Sequence, residues 1–344
     1  MVKKIFFSVF ALTVVVFSIA MVQFFKSTNE NKELRVQTAN VVIYTHSSFM
    51  DVYGPGPELK TEFEKSCDCT VDYVDGGGTD LIIEKMKLDP SRRVDLILGL
   101  DHLQLSKVAQ SIRLQSLPKP AAPLKSELIP FVYDKFLPYD WSPMGFIYRQ
   151  SESKPFSSIS EALAKMPESS LTLQDPEVSS PGLEFLYWLF VQPEGLDVML
   201  QKASLVAHSY SPSWSTAYGL FKKKQAKFTF SYLTSLVYHW QEEKDRDYQF
   251  MVFDHGHPAQ IEYAAVPDSC WNCGAAKKFV GFLLTPEAQK ILAQKNYMFP
   301  VREDVELAPE FSELPKVKVL GPERLDDFTR GRPDHVLRWR KVSR

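Results

Sequence analysis

The 344-residue chain lacks any excess of positive charge, with 40 Lys plus Arg against 42 Asp plus Glu and a formal net charge of −2. Nonspecific nucleic-acid binding rests on such an excess, so that class is disfavoured from the start. The sequence has no Gly-x-Ser-x-Gly elbow and no His-Glu-x-x-His helix, which leaves serine-hydrolase and zinc-protease chemistry without their motifs. No Gly-Lys-Ser/Thr follows its one glycine-rich loop, and the spaced dinucleotide fingerprint is missing as well. Internal repeats and low-complexity tracts are absent, and cysteines number only four. What remains is ordinary globular material, 44% hydrophobic and 24% charged, long enough for two average domains. The aromatic share is 13%, with 14 Tyr and 6 Trp, and 23 Pro outnumber 15 Gly. Such a chain can line pockets with rings.

Residues 1–25 carry Lys3 and Lys4 and then an apolar stretch 5–25 broken only by Ser8, Thr13, Ser18 and Gln23. A basic start before an apolar run is an export signal. Ser18-Ile-Ala20 offers a small-x-small cleavage site, yet the stretch reaches the roughly 20 residues that span a bilayer, so cleaved signal and uncleaved membrane anchor both stand. A polar, aperiodic linker 26–40 follows, and the folded part begins near Val41. A periplasmic location is therefore expected, tethered to the inner membrane in the uncleaved case. The cysteines fall in two tight pairs, Cys67-Asp-Cys69 and Cys270-Trp-Asn-Cys273. Export permits disulfides, and local pairing is the leading hypothesis among three connectivities; a four-cysteine zinc site and free thiols are the alternatives.

From Val41 the pattern alternates strand and helix. Strands are expected at 41–45, 70–74, 94–98, 145–148, 170–174, 228–232 and 260–266. Helices are expected at 57–65, 80–88, 158–165, 182–190, 215–223, 275–284 and 286–294. This is an α/β chain with parallel, doubly wound sheet in two lobes, joined by strands near 139–148 and 260–268. The boundaries drawn are 41–140 plus about 266–300 for lobe 1 and 141–265 plus about 301–344 for lobe 2. Ligands in such sheets bind at the C-terminal strand ends.

Two strand-end loops suit an anion. Asp75-Gly-Gly-Gly-Thr-Asp80 places glycines where backbone can approach a ligand closely, before a helix start whose N–H groups are free. Gln174-Asp-Pro-Glu-Val-Ser-Ser-Pro-Gly-Leu183 does the same with Ser179 and Ser180 at the helix entry. Rings gather in other loops: Tyr53 before Gly-Pro-Gly-Pro, Trp214 within Ser-Pro-Ser-Trp-Ser, then Tyr232, Tyr238 and Tyr297. Aromatic faces hold planar or cationic ligands. His255-Gly-His257 reads as a solvated loop rather than a metal site. Cys270-x-x-Cys273 before a helix keeps a thiol-disulfide oxidoreductase as the competing class.

The motifs taken together resemble the periplasmic thiamine-binding proteins, solute receptors of thiamine ABC importers. They are Tyr44-Thr-x-x-Ser-Phe49, Gly54-Pro-Gly-Pro57, Cys67-x-Cys69, Gly99-Leu-Asp101, Gln174-Asp-Pro176 with Ser180-Pro-Gly-Leu183, Trp214-Ser-x-Ala-Tyr-Gly-Leu-Phe221, Ser231-Tyr-x-Thr-Ser235 with Tyr238-His239, and Met298-x-Pro-Val301. They run through 41–301 in family order. The resemblance implies a two-lobed type II periplasmic-binding-protein fold that closes on thiamine or its phosphate esters, with an ABC-transporter permease as partner. It also implies a monomer with no catalytic residue, no metal and no cofactor. It places ligand contacts at Gly76, Gly77, Ser179, Ser180, Trp214, and the segment with Tyr232, Thr234 and Ser235; the rings Tyr53, Tyr238 and Tyr297 complete the expected pocket. The chain departs from the family pattern at Tyr53 and Tyr297, where Trp is frequent, at Leu233, where Thr is common, and in a shorter glycine loop.

Overall fold

The computed structural model describes residues 40–343 together with Met21 and Gln23. The apolar segment expected to be a signal or anchor, and the linker after it, otherwise lie outside the described residues. Among the described residues no helix is long and apolar enough to cross a membrane.

The fold is built on β4 (Leu137–Arg149), all thirteen residues of which are buried. Its first half pairs antiparallel with β9 (Ala259–Ala265), which pairs antiparallel in turn with β3 (Leu96–Asp101). β3 lies parallel to β1 (Asn40–Thr45), and β1 to β2 (Thr70–Asp75). The second half of β4 pairs antiparallel with β7 (Phe228–Tyr232) from Met144 to Tyr148, and its end with β8 (Tyr248–Phe250). β7 continues into parallel β5 (Leu171–Gln174) and β6 (Ala207–Ser211). A short β10 (Phe299–Pro300) adds to β4 at Trp141 and Asp140.

The sheet is thus mixed rather than parallel throughout. β4 and β9 are entered from loops, not from crossover helices, and only the crossover connection compels parallel pairing. Helix starts follow local chemistry: Ser158, Ser213 and Thr285 each accept a backbone N–H three residues on, the usual satisfaction of a free first-turn donor. The last helix, Leu325–Val342, contains Gly331 and Pro333, which hide it from a pattern reading. Packing overrides them. Phe328 meets the Tyr187 ring at 5.2 Å and Trp339 the Tyr210 ring at 5.3 Å.

Both cysteine pairs close locally, Cys67 with Cys69 and Cys270 with Cys273, so the zinc and free-thiol alternatives fall. His257 corrects the reading of a solvated loop. It is fully buried, accepts the Phe253 N–H at Nε2 (2.9 Å) and donates from Nδ1 to the Met144 carbonyl (3.0 Å). Both ring nitrogens are spent, and burial pulls its pKa down to about 4.

Gly182 fixes how closely the helix Ser180–Phe190 starts against the end of β5. A Cβ there would stand 2.6 Å from the Gln174 carbonyl oxygen and from the Asp175 carbonyl carbon. These are backbone atoms that cannot rotate away. Gly182→Ala is expected to lower unfolding stability by about 1–3 kcal/mol, the usual cost of overpacking, read from urea midpoints.

Candidate ligand-binding site

Two helix starts face each other across a cleft of about 360 Å³. One wall is Gly78, Thr79, Asp80, Leu81, Glu84 and Gln104; the other is Pro176, Glu177, Val178, Ser179 and Ser180. Gly76 and Gly77, expected at the ligand, lead into the first wall but do not line the cleft: Gly76 donates its N–H to the Thr45 carbonyl (2.7 Å) and Gly77 donates to the Asp75 carboxylate (2.9 Å). Gly77 has φ +73°, a conformation in which glycine alone is unstrained. On the second wall the Asp175 carboxylate accepts the Glu177 N–H (2.8 Å), turning the chain so that Ser179 precedes the helix. Neither helix start is capped by a side chain from its N-cap residue, Gly78 or Ser179. Free N–H groups at two helix ends favour a negative group between them. Asp80 does not cancel this, because Lys107 and Arg332 each hold its carboxylate at 2.8 Å. Burial alone would raise its pKa, but these two cations outweigh it and hold it low.

The rings form a second feature. Trp214 opens its helix, donates Nε1–H to the Ser231 hydroxyl (2.8 Å) and stacks on Tyr218 at 4.9 Å and 24°. Tyr232 lies 5.9 Å from Trp214, and its hydroxyl donates to Gln260 (2.9 Å). Ser235 meets Ser231 at 3.1 Å. Thr234 is buried behind them and donates to the Ser142 hydroxyl of β4 (3.0 Å), so it braces the segment. Tyr238 and Tyr297 pair edge to face at 5.5 Å, and the Tyr297 hydroxyl donates to Glu242 (3.2 Å). Tyr53 is 85% exposed and not joined to this group. Its turn is pinned because Gly54 packs directly on the Ser48 and Phe49 carbonyls.

Sequence reasoning missed the acidic groups beside these features. Asp140 of β4 lies directly opposite Glu262 of β9, both buried. Two like charges so placed cannot both be ionised cheaply. Glu262 keeps the charge: burial would raise its pKa, but His46 at 3.5 Å, with Tyr139 donating at 2.7 Å, outweighs burial and holds it low. Burial and the Glu262 charge push Asp140 well above the ordinary range. Burial would lower the His46 pKa, yet Glu262 and Asp75 raise it. Burial lifts Asp101 to about 7. The signal for Glu262 was there, a carboxylate inside the apolar run of β9. The partner choice was not.

Residues 58–319 match the family model described as bacterial extracellular solute-binding protein. The chain belongs to this family. It is 33% identical over 283 residues to the thiamine-binding periplasmic protein of Brucella melitensis biotype 1, covering 80% of this chain and 84% of that one. Identity to the thiamine-binding periplasmic protein of Escherichia coli strain K12 is 31% over 279 residues, covering 80% and 85%. A solved periplasmic thiamin binding protein superposes with a TM-score of 0.79 at 27% identity, over 89% of this chain and 96% of that one. The two-lobed binding-protein fold expected from the motifs is the fold found.

In this solute-binding protein the His46–Glu262 pair sets a pH dependence. The raised His46 pKa contributes stability that is complete below its ordinary 6.5 and is lost as pH rises through the folded value. The lowered Glu262 pKa contributes stability that is complete above its ordinary 4.5 and is lost as pH falls through the folded value. The stability gap between wild type and His46→Asn is therefore expected to be widest between those two values and to narrow on both sides. Urea midpoints across pH read it; a gap that widens as pH rises past neutrality would contradict the pairing.

Proposed function

We propose that this protein captures thiamine or a thiamine phosphate outside the cytoplasm and delivers it to the membrane permease of an ABC importer. The observation that supports the reading is a cleft between two facing helix starts, together with a separate ring group that is tied to the buried carboxylate Glu262 through Tyr232 and Gln260. Thiamine is an aromatic cation, and its esters add an anion. Trp214, Tyr232 and Tyr297 supply rings for the heterocycles, with Tyr238 backing Tyr297. Gly76, Gly77, Ser179 and Ser180 shape the two helix entries whose donors take a phosphate or hydroxyl. Ser235 positions Ser231 and through it Trp214, while Thr234 braces the same segment against β4. Tyr53 reaches ligand only if its turn moves inward. The names of the relatives support the same reading, and solute-binding proteins are in general not enzymes; no catalytic residue is assigned.

The lobes are proposed to divide as 41–140 with about 266–300, and 141–265 with about 301–344. A ligand touching both walls favours the closed arrangement, which the permease would read. The protein acts as a monomer, either free in the periplasm or tethered by an uncleaved N-terminal segment.

Titration calorimetry with thiamine, its mono- and diphosphate, and unrelated small cations tests the reading. Tight binding within the thiamine series is expected, and Trp214→Ala should weaken it by about 1–3 kcal/mol if the indole stacks on the ligand. Preference for an unrelated solute would overturn the ligand while leaving the family assignment intact.

A further inference from the structure

Beneath the cleft, Asp101 and His102 at the end of β3 meet Glu184 of the helix Ser180–Phe190, which begins on the opposite wall. Asp101 and Glu184 are fully buried and His102 is 8% exposed. One donor atom from each lies within 4.8 Å of the other two. His102 Nδ1 is 3.2 Å from Glu184 Oε1 and 3.9 Å from Asp101 Oδ1. Buried polar atoms are nearly always partnered, yet both Glu184 oxygens and His102 Nδ1 have no hydrogen-bond partner among the described residues, while Asp101 is held by the Leu103 N–H at Oδ1 (2.7 Å) and by the Ser180 hydroxyl. The 3.2 Å approach is close but not aligned as a hydrogen bond. Both Glu184 oxygens are therefore unused acceptors standing beside an unused imidazole nitrogen. The nearest guanidinium acting on Asp101, that of Arg332, is already held by Asp80 at 2.8 Å.

We propose that Asp101, His102 and Glu184 form a binding site for one divalent transition-metal ion, of which zinc is the probe, linking β3 to the helix Ser180–Phe190. Two ligands about 2.1 Å from a common ion at tetrahedral angles stand about 3.4 Å apart. The two measured separations bracket that value, and the third, within 4.8 Å, closes to it by a shift of about 1.4 Å at most. One imidazole and two carboxylates suit zinc and its neighbours, whereas calcium takes six to eight oxygens and magnesium an octahedron of them. Two carboxylates also balance a 2+ charge without leaving net charge in the interior. An ion here joins elements from both walls and so bears on cleft geometry, independently of which solute the cleft takes.

The test uses the full folded chain stripped with chelator and then titrated with zinc, magnesium and calcium chlorides by calorimetry. Uptake of one zinc per chain with a raised melting temperature is expected, with magnesium and calcium at least tenfold weaker. His102→Asn and Glu184→Gln, each checked for cooperative unfolding, should weaken zinc binding at least tenfold. Zinc-edge X-ray absorption of the wild type should show a nitrogen and oxygen shell without sulfur, which keeps the question decidable if a variant fails to fold. Absence of stoichiometric uptake, binding unchanged in both folded variants, or a sulfur shell would each overturn the site.

Discussion

The antiparallel pairing of β4 with β9 is the constraint on which the site depends. Its register sets Asp140 against Glu262 and Ser142 against Gln260. Because strand side chains alternate in direction, these four share one face of the pair while Trp141 and Ile261 turn to the other. From this one register the ring group is also placed: Tyr232 rests its hydroxyl on Gln260, and Thr234 rests its own on Ser142. A slip of one residue would send the acids into the packed core and break every one of these bonds. The complete burial of β4 makes such a slip costly.

Several acidic side chains are tolerated in this interior, each by its own neighbours. They are not equivalent. Glu262 is held low because His46 and Tyr139 address it, while burial and then the Glu262 charge push its neighbour Asp140 well up. Asp80 holds a charge because Lys107 and Arg332 close on it from two different elements. Asp101 is lifted to about 7 by burial, against the Leu103 N–H and the Ser180 hydroxyl that address it. The site therefore offers fixed negative charge at one place and free helix N–H groups at another. That separation suits a ligand whose positive ring and negative tail lie apart.

The local readings that came from periodicity stand in the fold: the strand at 41–45, the helix after the glycine loop, the helix after Ser179, and the helix opened by Trp214 all form. These signals are short-range, set by side-chain alternation, glycine freedom and helix-start donors, and need no knowledge of the rest of the chain. The helix Leu325–Val342 was illegible for the opposite reason, since its breakers are overruled by rings supplied from residues over a hundred positions away. His257 failed likewise: beside an exposed His255 it looks like a loop residue, but Met144 and Phe253 claim its two nitrogens.

By itself the sequence determined the α/β alternation, the two glycine- and serine-marked helix entries and the ring-bearing segments, because each is carried by neighbours within about a dozen residues. Tertiary structure alone decided which strands run antiparallel, that the cysteines pair locally, that Thr234 braces the segment beside Trp214, and that Asp101, His102 and Glu184 meet. Those outcomes depend on groups far apart in the chain arriving within a few ångströms of one another, and on the withdrawal of water that gives such approaches their energy.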